Sequence, residues 1–353
     1  MAVTDPAPKS ADGPRPDFSP LRALRRLNPH HWSAGLVVRG MAELGIADLL
    51  AAGPRTAAEI AAAAGAHPPS LLRFLRVCEL HELIAAAGDG RWALTGAGEL
   101  LRSDVPSLRG FSIAVNAPGM TRPWERVAEV VRTGRPATRA AWGMDHWEYY
   151  AAHPEEAASY SQTCASLSVE AAEALVASYD VTGARRIVDV GGSPGTVLAR
   201  LLAAAPGAHG VVFDLEWAVP FARETLDAHG LSGRSEVLAG DFLREVPAGG
   251  DLYVLKNVLC DLTDERAAAL LARCAEAVPP GGRLLLLDWE YTDHSTHVHA
   301  NDVEFMVLTG GRVRRFGEYR GLLTAAGFRD CRRLPFVGQE QAPIVLIECV
   351  RAR

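Results

Sequence analysis

The stretch Ile187-Val188-Asp189-Val190-Gly191-Gly192-Ser193-Pro194-Gly195-Thr196 decides the fold. A short β-branched strand carries an acid and runs into a glycine-rich turn. An alanine- and leucine-rich helical stretch, Val197 to Ala205, follows. Glycine lets the backbone bend tightly and approach a ligand closely. The first amides of the following helix lack intrahelical partners and point at the same spot. In an open α/β sheet this arrangement holds a nucleoside-containing cofactor at the carboxyl ends of the strands.

The next two strand ends narrow the choice of cofactor. Val211-Val212-Phe213-Asp214-Leu215 reads as a strand ending in an acid 25 positions after Asp189. A carboxylate there can accept both ribose hydroxyls. Ala239-Gly240-Asp241-Phe242-Leu243 supplies a third acid, suited to the exocyclic amine of adenine, and an aromatic ring to lie against the base. Three acids on successive strand ends put no positive charge near a phosphate. That disfavours a dinucleotide and suits a cationic sulfonium cofactor. A plain βα turn could produce the glycine run alone; the succession of acids at these spacings argues for a site.

Further on come Leu255-Lys256-Asn257-Val258-Leu259, Pro280-Gly281-Gly282-Arg283-Leu284 and Gly310-Gly311-Arg312. With the three acidic strand ends, these pieces resemble the small-molecule O-methyltransferases that use S-adenosylmethionine and carry an N-terminal winged-helix dimerisation domain. Bacterial enzymes that tailor aromatic polyketides of the anthracycline type look most similar, over roughly residues 20 to 350. The resemblance implies a Rossmann-like class I methyltransferase fold: α/β, seven strands, mostly parallel. It also implies S-adenosylmethionine as cofactor and a homodimer whose N-terminal domain reaches into the partner's active site. Asp214 and Leu215 would hold the ribose, and Asp241 and Phe242 the adenine, with Lys256 on the adenine side. Asp189, Gly191, Gly192 and Gly195 would frame the methionine moiety, with Tyr160 at its carboxylate end.

Bulk properties agree. Of the residues, 48% are hydrophobic and 22% charged, and the formal net charge is −6. An acidic balance gives no support for nucleic-acid binding. The apolar runs are too short and interrupted to span a bilayer. Cys78, Cys164, Cys260, Cys274, Cys331 and Cys349 form no CxxC pair, which fits reduced thiols in the cytoplasm. The Ala-, Arg- and Gly-heavy composition suggests a GC-rich bacterial source. Residues 1–17 read as a disordered tail, rich in Pro, Ala, Asp and Ser, with no apolar signal core.

Residues 18–108 read as the dimerisation domain. Val37, Val38, Met41, Leu44, Ala47 and Leu50 recur at helical spacing. Thr56-Ala57-Ala58-Glu59 reads as a capping box opening a second helix, and Pro69 stands in the first turn of a third. Ile84, Gly88-Asp89-Gly90 and Arg91-Trp92-Ala93-Leu94-Thr95 form a hairpin pattern. Three helices and a hairpin make a winged-helix order, which also occurs in DNA-binding regulators. Here the third helix holds Arg73 and Arg76 but is otherwise Leu, Phe and Val. A reading helix needs a basic, polar face, so dimer packing suits it better.

Residues 109–180 read as a helical connector and 181–353 as the catalytic domain. The connector holds Trp142, Met144, Trp147 and Cys164, with Tyr149 and Tyr150 close by. Such a cluster is either packed core or the wall of a pocket for a flat aromatic substrate. The resemblance places the wall here.

The chemistry turns on Cys260. Plant-type relatives carry a general-base His four residues after the Lys; Leu255-Lys256-Asn257-Val258-Leu259-Cys260-Asp261 has Cys there. They also carry a Glu where Val313 stands, while a further acid after the fifth strand is kept as Asp288. A buried neutral thiol is a poor base. In-line placement of an acidic phenol can supply most of the acceleration. Cys260, Asp261 and Asp288 are the candidates facing the acceptor. The resembling subgroup also contains members that bind the cofactor for non-methylating chemistry such as hydroxylation, decarboxylation or cyclisation. The cofactor loop also has Ser193 for its middle glycine and Pro194 beside it, removing one backbone donor.

His294-Ser295-Thr296-His297-Val298-His299 reads as solvated histidines where a loop enters a helix, since its spacing is not that of a metal site. No metal is expected. His299, Asp302 and Met306 are the candidates on this segment that border the substrate. Arg312, Arg314 and Arg315 are either salt-bridged or an anion-binding edge.

Overall fold

In the computed structural model residues 31–105, 107–336 and 343–352 are described. The expected tail, 1–17, lies outside the described residues. The chain divides into two compact units, Met1–Ser107 and Leu108–Arg353.

The first unit holds α1 (His31–Glu43), α2 (Ile46–Leu50), β1 (Arg55–Thr56), α3 (Ala57–Ala64), α4 (Pro68–Leu80), β2 (Ile84–Ala86), β3 (Arg91–Leu94) and α5 (Gly96–Glu99). The capping box forms. The Thr56 amide donates to Glu59 Oε2 (2.7 Å), and the Glu59 amide donates to Thr56 Oγ1 (3.3 Å). β3 is the middle of a small antiparallel sheet between β1 and β2. Met41, Ile46, Ile60, Leu71, Leu75 and Ile84 make its core.

The second unit opens with the connector helices α6 (Arg109–Val115), α7 (Pro118–Thr121), α8 (Val127–Thr133), α9 (Thr138–Trp142), α10 (His146–Ala152) and α11 (Pro154–Ser178). Then come β4 (Arg186–Val190), α12 (Thr196–Ala204), β5 (His209–Asp214), α13 (Val219–Ala228), β6 (Ser235–Ala239), β7 (Leu252–Lys256), α14 (Asp264–Ala277), β8 (Arg283–Trp289), α15 (Thr296–Leu308), α16 (Phe316–Ala325), β9 (Phe328–Leu334) and β10 (Ile344–Arg351). The seven strands run β6-β5-β4-β7-β8-β10-β9. All neighbours are parallel except β10, which is antiparallel to β8 and β9.

Alternation along the central strands builds two core layers. Tyr253 and Leu255 of β7 face one layer with Leu284 and Leu286; Leu252 and Val254 face the other with Leu285 and Leu287. Strands buried on both faces need continuous apolar runs, which is why β8 reads Leu-Leu-Leu-Leu. The chain order reverses between β4 and β7, and a crevice opens at such a switch point at the strands' carboxyl ends. The connector reaches these ends through α15: the Ala137 amide donates to the Val307 carbonyl (2.8 Å) and Thr138 Oγ1 to the Leu308 carbonyl (3.1 Å).

After α15 the backbone passes tightly over the turn that follows β7. A Cβ on Gly311 would lie 2.0 Å from the Cys260 carbonyl oxygen and 2.5 Å from the Asp261 carbonyl carbon. Gly321, inside α16, has no atom within 4 Å of such a Cβ. Gly311→Ala is therefore expected to lower the melting temperature by several degrees. Gly321→Ala should raise stability by roughly 0.5–1 kcal/mol, as for other helix-interior glycines. Thermal melts of the two variants check this; equal shifts would remove the close-approach argument.

Candidate active site

The glycine turn after β4 is shaped by contact. Gly191 has φ +68° and Gly195, which starts α12, has φ +88°. A Cβ on Gly192 would strike the Asp189 carboxyl at 2.4 Å, and one on Gly191 would lie 2.9 Å from Val258 and 3.5 Å from the Phe242 ring. Ser193 ties the turn to β5: its amide donates to Asp214 Oδ2 (2.9 Å) and its hydroxyl to the Ala218 carbonyl (3.1 Å). The Leu215 amide takes the other Asp214 oxygen (2.7 Å). Asp241 caps its own turn through the Leu243 amide (2.9 Å) and stays partly open.

Asp189 is 1% exposed, and neither carboxylate oxygen has a hydrogen-bond partner of good geometry. Burial, and then the nearby Asp214 charge, push its pKa up to about 7 against an ordinary 3.8; Lys256 pulls the other way. Burial also raises Asp214. Lys256, at the end of β7, donates to Ser168 Oγ on α11 (3.0 Å), and burial lowers its pKa. Lys256 thus senses two buried acids, Asp189 and Asp288, and a carboxylate left without a partner in an apolar site is costly.

The turn Leu259–Asp261 is clamped from two sides. Asp288, fully buried at the end of β8, accepts the amides of Leu259 (3.0 Å) and Cys260 (3.2 Å) on one oxygen and that of Trp289 (2.8 Å) on the other. Arg314, also fully buried, donates to the carbonyls of Leu259 (2.6 Å) and Leu262 (2.7 Å) and pairs with Asp264 (2.8 Å). Cys260 is 1% exposed, and burial, with Asp288 beside it, pushes its thiol far up, so it stays neutral. Asp261 is partly open, and burial, then Asp288 and Glu304, raise its carboxyl well above the usual range.

The connector brings an aromatic group to the same unit. Trp142, Met144, Trp147 and Tyr160 pack with Tyr149, Tyr150, Trp217 and Phe221. Tyr160 stacks on Tyr150, with ring centroids 4.6 Å apart, and lies close enough to Asp261 and Cys164 to feel both. Cys164 in turn senses Lys256 and Asp214. Tyr160, Cys164, Lys256, Asp214 and Asp261 therefore share one region. Trp217 was not among the sequence candidates; it follows the β5 acid by three residues, and its indole nitrogen is buried without a partner.

Three sequence candidates sit in other company. His299 Nε2 meets the Thr292 carbonyl (3.0 Å), and its ring stacks on Tyr291. Asp302 accepts the Val313 amide (2.7 Å). Met306 packs against the connector with Val303, Trp124 and Val127. Arg312 pairs with Asp264 and Glu318, and Arg315 with Asp293. Among the described residues no three histidine, cysteine or carboxylate side chains gather as a metal-binding set.

Against known families, residues 124–329 match the O-methyltransferase domain and residues 32–104 the O-methyltransferase dimerisation domain. The O-demethylpuromycin-O-methyltransferase of Streptomyces alboniger is 36% identical over 315 residues, covering 85% of this chain and 84% of that protein. The aclacinomycin 10-hydroxylase of Streptomyces purpurascens is 31% identical over 310 residues, covering 83% and 80%. Among solved structures, an O-methyltransferase from neocarzinostatin biosynthesis, crystallised with S-adenosylmethionine and 2-hydroxy-5-methyl naphthoic acid, superposes with a TM-score of 0.79 at 33% identity, over 94% of this chain and 98% of that one.

Asp189 makes stability depend on pH. Its folded pKa of about 7 lies above the ordinary 3.8, so the folded protein holds the extra proton between those values. Stability then falls as pH rises through that window and stays low above it. Asp189→Asn keeps the shape without the charge. In ligand-free protein it is expected to melt several degrees above wild type at about pH 8, the gap closing towards about pH 4. A gap of the same size at every pH would contradict the buried-charge account.

Proposed function

Since the chain belongs to the O-methyltransferase family, we propose that it transfers the methyl group of S-adenosylmethionine to a phenolic hydroxyl of an aromatic natural product of polyketide type. The observation that carries this reading is a set of buried acids towards the strands' carboxyl ends, with an aromatic cluster in the same unit. S-adenosylmethionine carries a sulfonium and an ammonium, and the buried, unpartnered carboxylate of Asp189 suits a cationic ligand. When bound, it supplies an electrophilic methyl carbon.

The chain's own residues bind and orient. Asp214 and Leu215 hold the ribose, Asp241 and Phe242 the adenine, and Asp189, Gly191, Gly192 and Gly195 the methionine moiety. Lys256 offsets part of the acidic charge on the adenine side, and Tyr160 stands at the carboxylate end. Trp142, Met144, Trp147 and Cys164 wall the acceptor. From α15, which also carries His299 and Asp302, Met306 borders the acceptor. Asp288 works through the backbone: it fixes the turn that presents Cys260 and Asp261. With no His at position 260, rate acceleration rests on proximity and orientation of a phenolate.

The match of residues 32–104 to a dimerisation domain supports a homodimer. Six free cysteines support a reducing cytoplasmic location. Among the described residues no helix is long and apolar enough to cross a membrane. The net charge of −6 and a third helix with only Arg73 and Arg76 as basic residues support a small-molecule rather than a nucleic-acid partner.

A second reading keeps the cofactor bound for a non-methylating reaction, such as hydroxylation. It is favoured by the replacement of the family His by Cys260 and of the Glu by Val313, and by the similarity to the aclacinomycin hydroxylase. Mass spectrometry after incubation with S-adenosylmethionine and hydroxynaphthoic acids or larger aromatic polyketides separates the two. The first reading expects a product heavier by one methylene and an equal amount of S-adenosylhomocysteine. Turnover with the cofactor unchanged would establish the second. Cys260→Ala is expected to keep the methyl-transfer rate within about threefold, whereas loss of a general base costs ~10²–10⁴-fold.

A further inference from the structure

We propose that Cys331 and Cys349 form a reversible oxidation site, at which a hydroperoxide converts the two thiols into a disulfide joining β9 to β10.

The placement comes from the strand register. β9 and β10 pair with Leu346 opposite Leu334, Ile347 opposite Arg333 and Glu348 opposite Arg332. The register then slips, and Val350 stands opposite Arg329. Two residues of β9, Asp330 and Cys331, therefore oppose one residue of β10, Cys349. That is a β-bulge, and Asp330 adopts the left-handed conformation, with φ +53°. The bulge matters because side chains alternate along a strand. Without an extra residue, Phe328 and Cys331 would point to opposite faces. With it, both pack on the core layer that holds Val345, Ile347 and Cys349 of β10. The neighbouring pair shows how closely the strands run: Arg332 Nη2 lies 2.6 Å from Glu348 Oε2. Residues directly opposed in an antiparallel pair have Cα atoms about 4.5–5.5 Å apart, inside the span that a disulfide bridges.

The two thiols are unequal. Cys349 is fully buried, and its Sγ lies 3.6 Å from the Leu284 carbonyl oxygen. Cys331 is half-buried on the edge strand of the sheet. The Cys349 thiol lowers the Cys331 pKa against the effect of burial, and Thr324 and Arg320 of α16 act with it. Cys331, and then burial, push Cys349 up, so the half-buried member carries the charge and the buried one keeps its proton. The remaining thiols differ: burial pushes Cys78 and Cys274 up to about 12, Cys164 up to about 11 and Cys260 far up. Oxidants select a thiolate that solvent reaches, and a second thiol beside it resolves the product. The pair is also separate from the candidate active site. Cys349 stands opposite Leu284 near the start of β8, whereas Asp288 stands near that strand's carboxyl end.

In the first step the Cys331 thiolate attacks one peroxide oxygen. The oxygen–oxygen bond breaks, and its electron pair leaves on the other oxygen, which takes a proton. Cys331 is then a sulfenic acid. The Cys349 sulfur displaces that hydroxyl, which leaves with the Cys349 proton as water, and the sulfur–sulfur bond forms. The two cysteines are oxidised by two electrons, and the hydroperoxide is reduced to an alcohol or water. Small thiols reverse the bridge by exchange, so it is transient in a reducing cytoplasm.

The test is hydrogen peroxide on the full-length protein, read by intact mass and by mapping of unreduced peptides. Wild type should lose two hydrogens and yield a crosslinked peptide pair holding Cys331 and Cys349, and dithiothreitol should reverse both. Cys331→Ser should remove this response, its remaining thiols reacting about tenfold more slowly than Cys331 does in wild type. Cys349→Ala should leave Cys331 to gain one oxygen and then a second, the second resisting dithiothreitol. The peptide map needs wild type alone, so it decides the matter even where a variant fails to fold. Cys331 and Cys349 that remain thiols while other cysteines oxidise overturn the proposal. So does a wild-type Cys331 that takes up two oxygens as fast as in Cys349→Ala.

Discussion

Negative charge buried without matched positive charge is the constraint on which this site is built. Asp189 and Asp214 stand towards the carboxyl ends of β4 and β5 and Asp261 on the turn after β7, Lys256 is the lysine that senses Asp189, and burial raises the proton affinity of each acid. An apolar interior penalises such charges far more than water does. A fold that keeps them gains from a cationic ligand what it loses in its absence. The glycines at 191 and 192 belong to the same design: side chains there would collide with Val258 and with Asp189 itself.

A second constraint keeps the acceptor side in register. The turn after β7 would be a free loop without Asp288 on its amides and Arg314 on its carbonyls. Both groups are fully buried; Asp288 is satisfied by backbone amides, and Arg314 by backbone carbonyls and the Asp264 carboxylate. Removing either would leave backbone partners unpaired in the core, a cost of about 1–3 kcal/mol for each buried polar group left unsatisfied. Within the basic run read as either salt-bridged or an anion-binding edge, Arg314 is a salt-bridged structural brace. Asp288 holds the backbone of the turn.

The cofactor half was legible in the sequence because its signals are local. Strand, acid, glycine turn and helix follow one another within 187–205, and β8 and β10 announce themselves as apolar runs. The capping box at Thr56 and the hairpin at 84–94 are equally local. The acceptor half was only partly legible because its contacts join distant segments. Arg314 meets Leu259 from 55 positions away, and arginine is rarely buried, so nothing in Arg312-Val313-Arg314-Arg315 singles out the third residue. Trp217 hides in a loop after β5, and only the folded connector shows that it joins the aromatic cluster.

The most direct test of the account is the proton balance of cofactor binding. Calorimetric titration of S-adenosylhomocysteine, whose ammonium would meet Asp189, in buffers of different ionisation heat at about pH 6.5 measures it. The ligand's cation should lower the raised pKa of Asp189, so binding should release a substantial fraction of a proton, and Asp189→Asn should abolish the release. Binding of wild type with no proton release, or with uptake, would contradict a crevice whose buried acids are there to receive a cation.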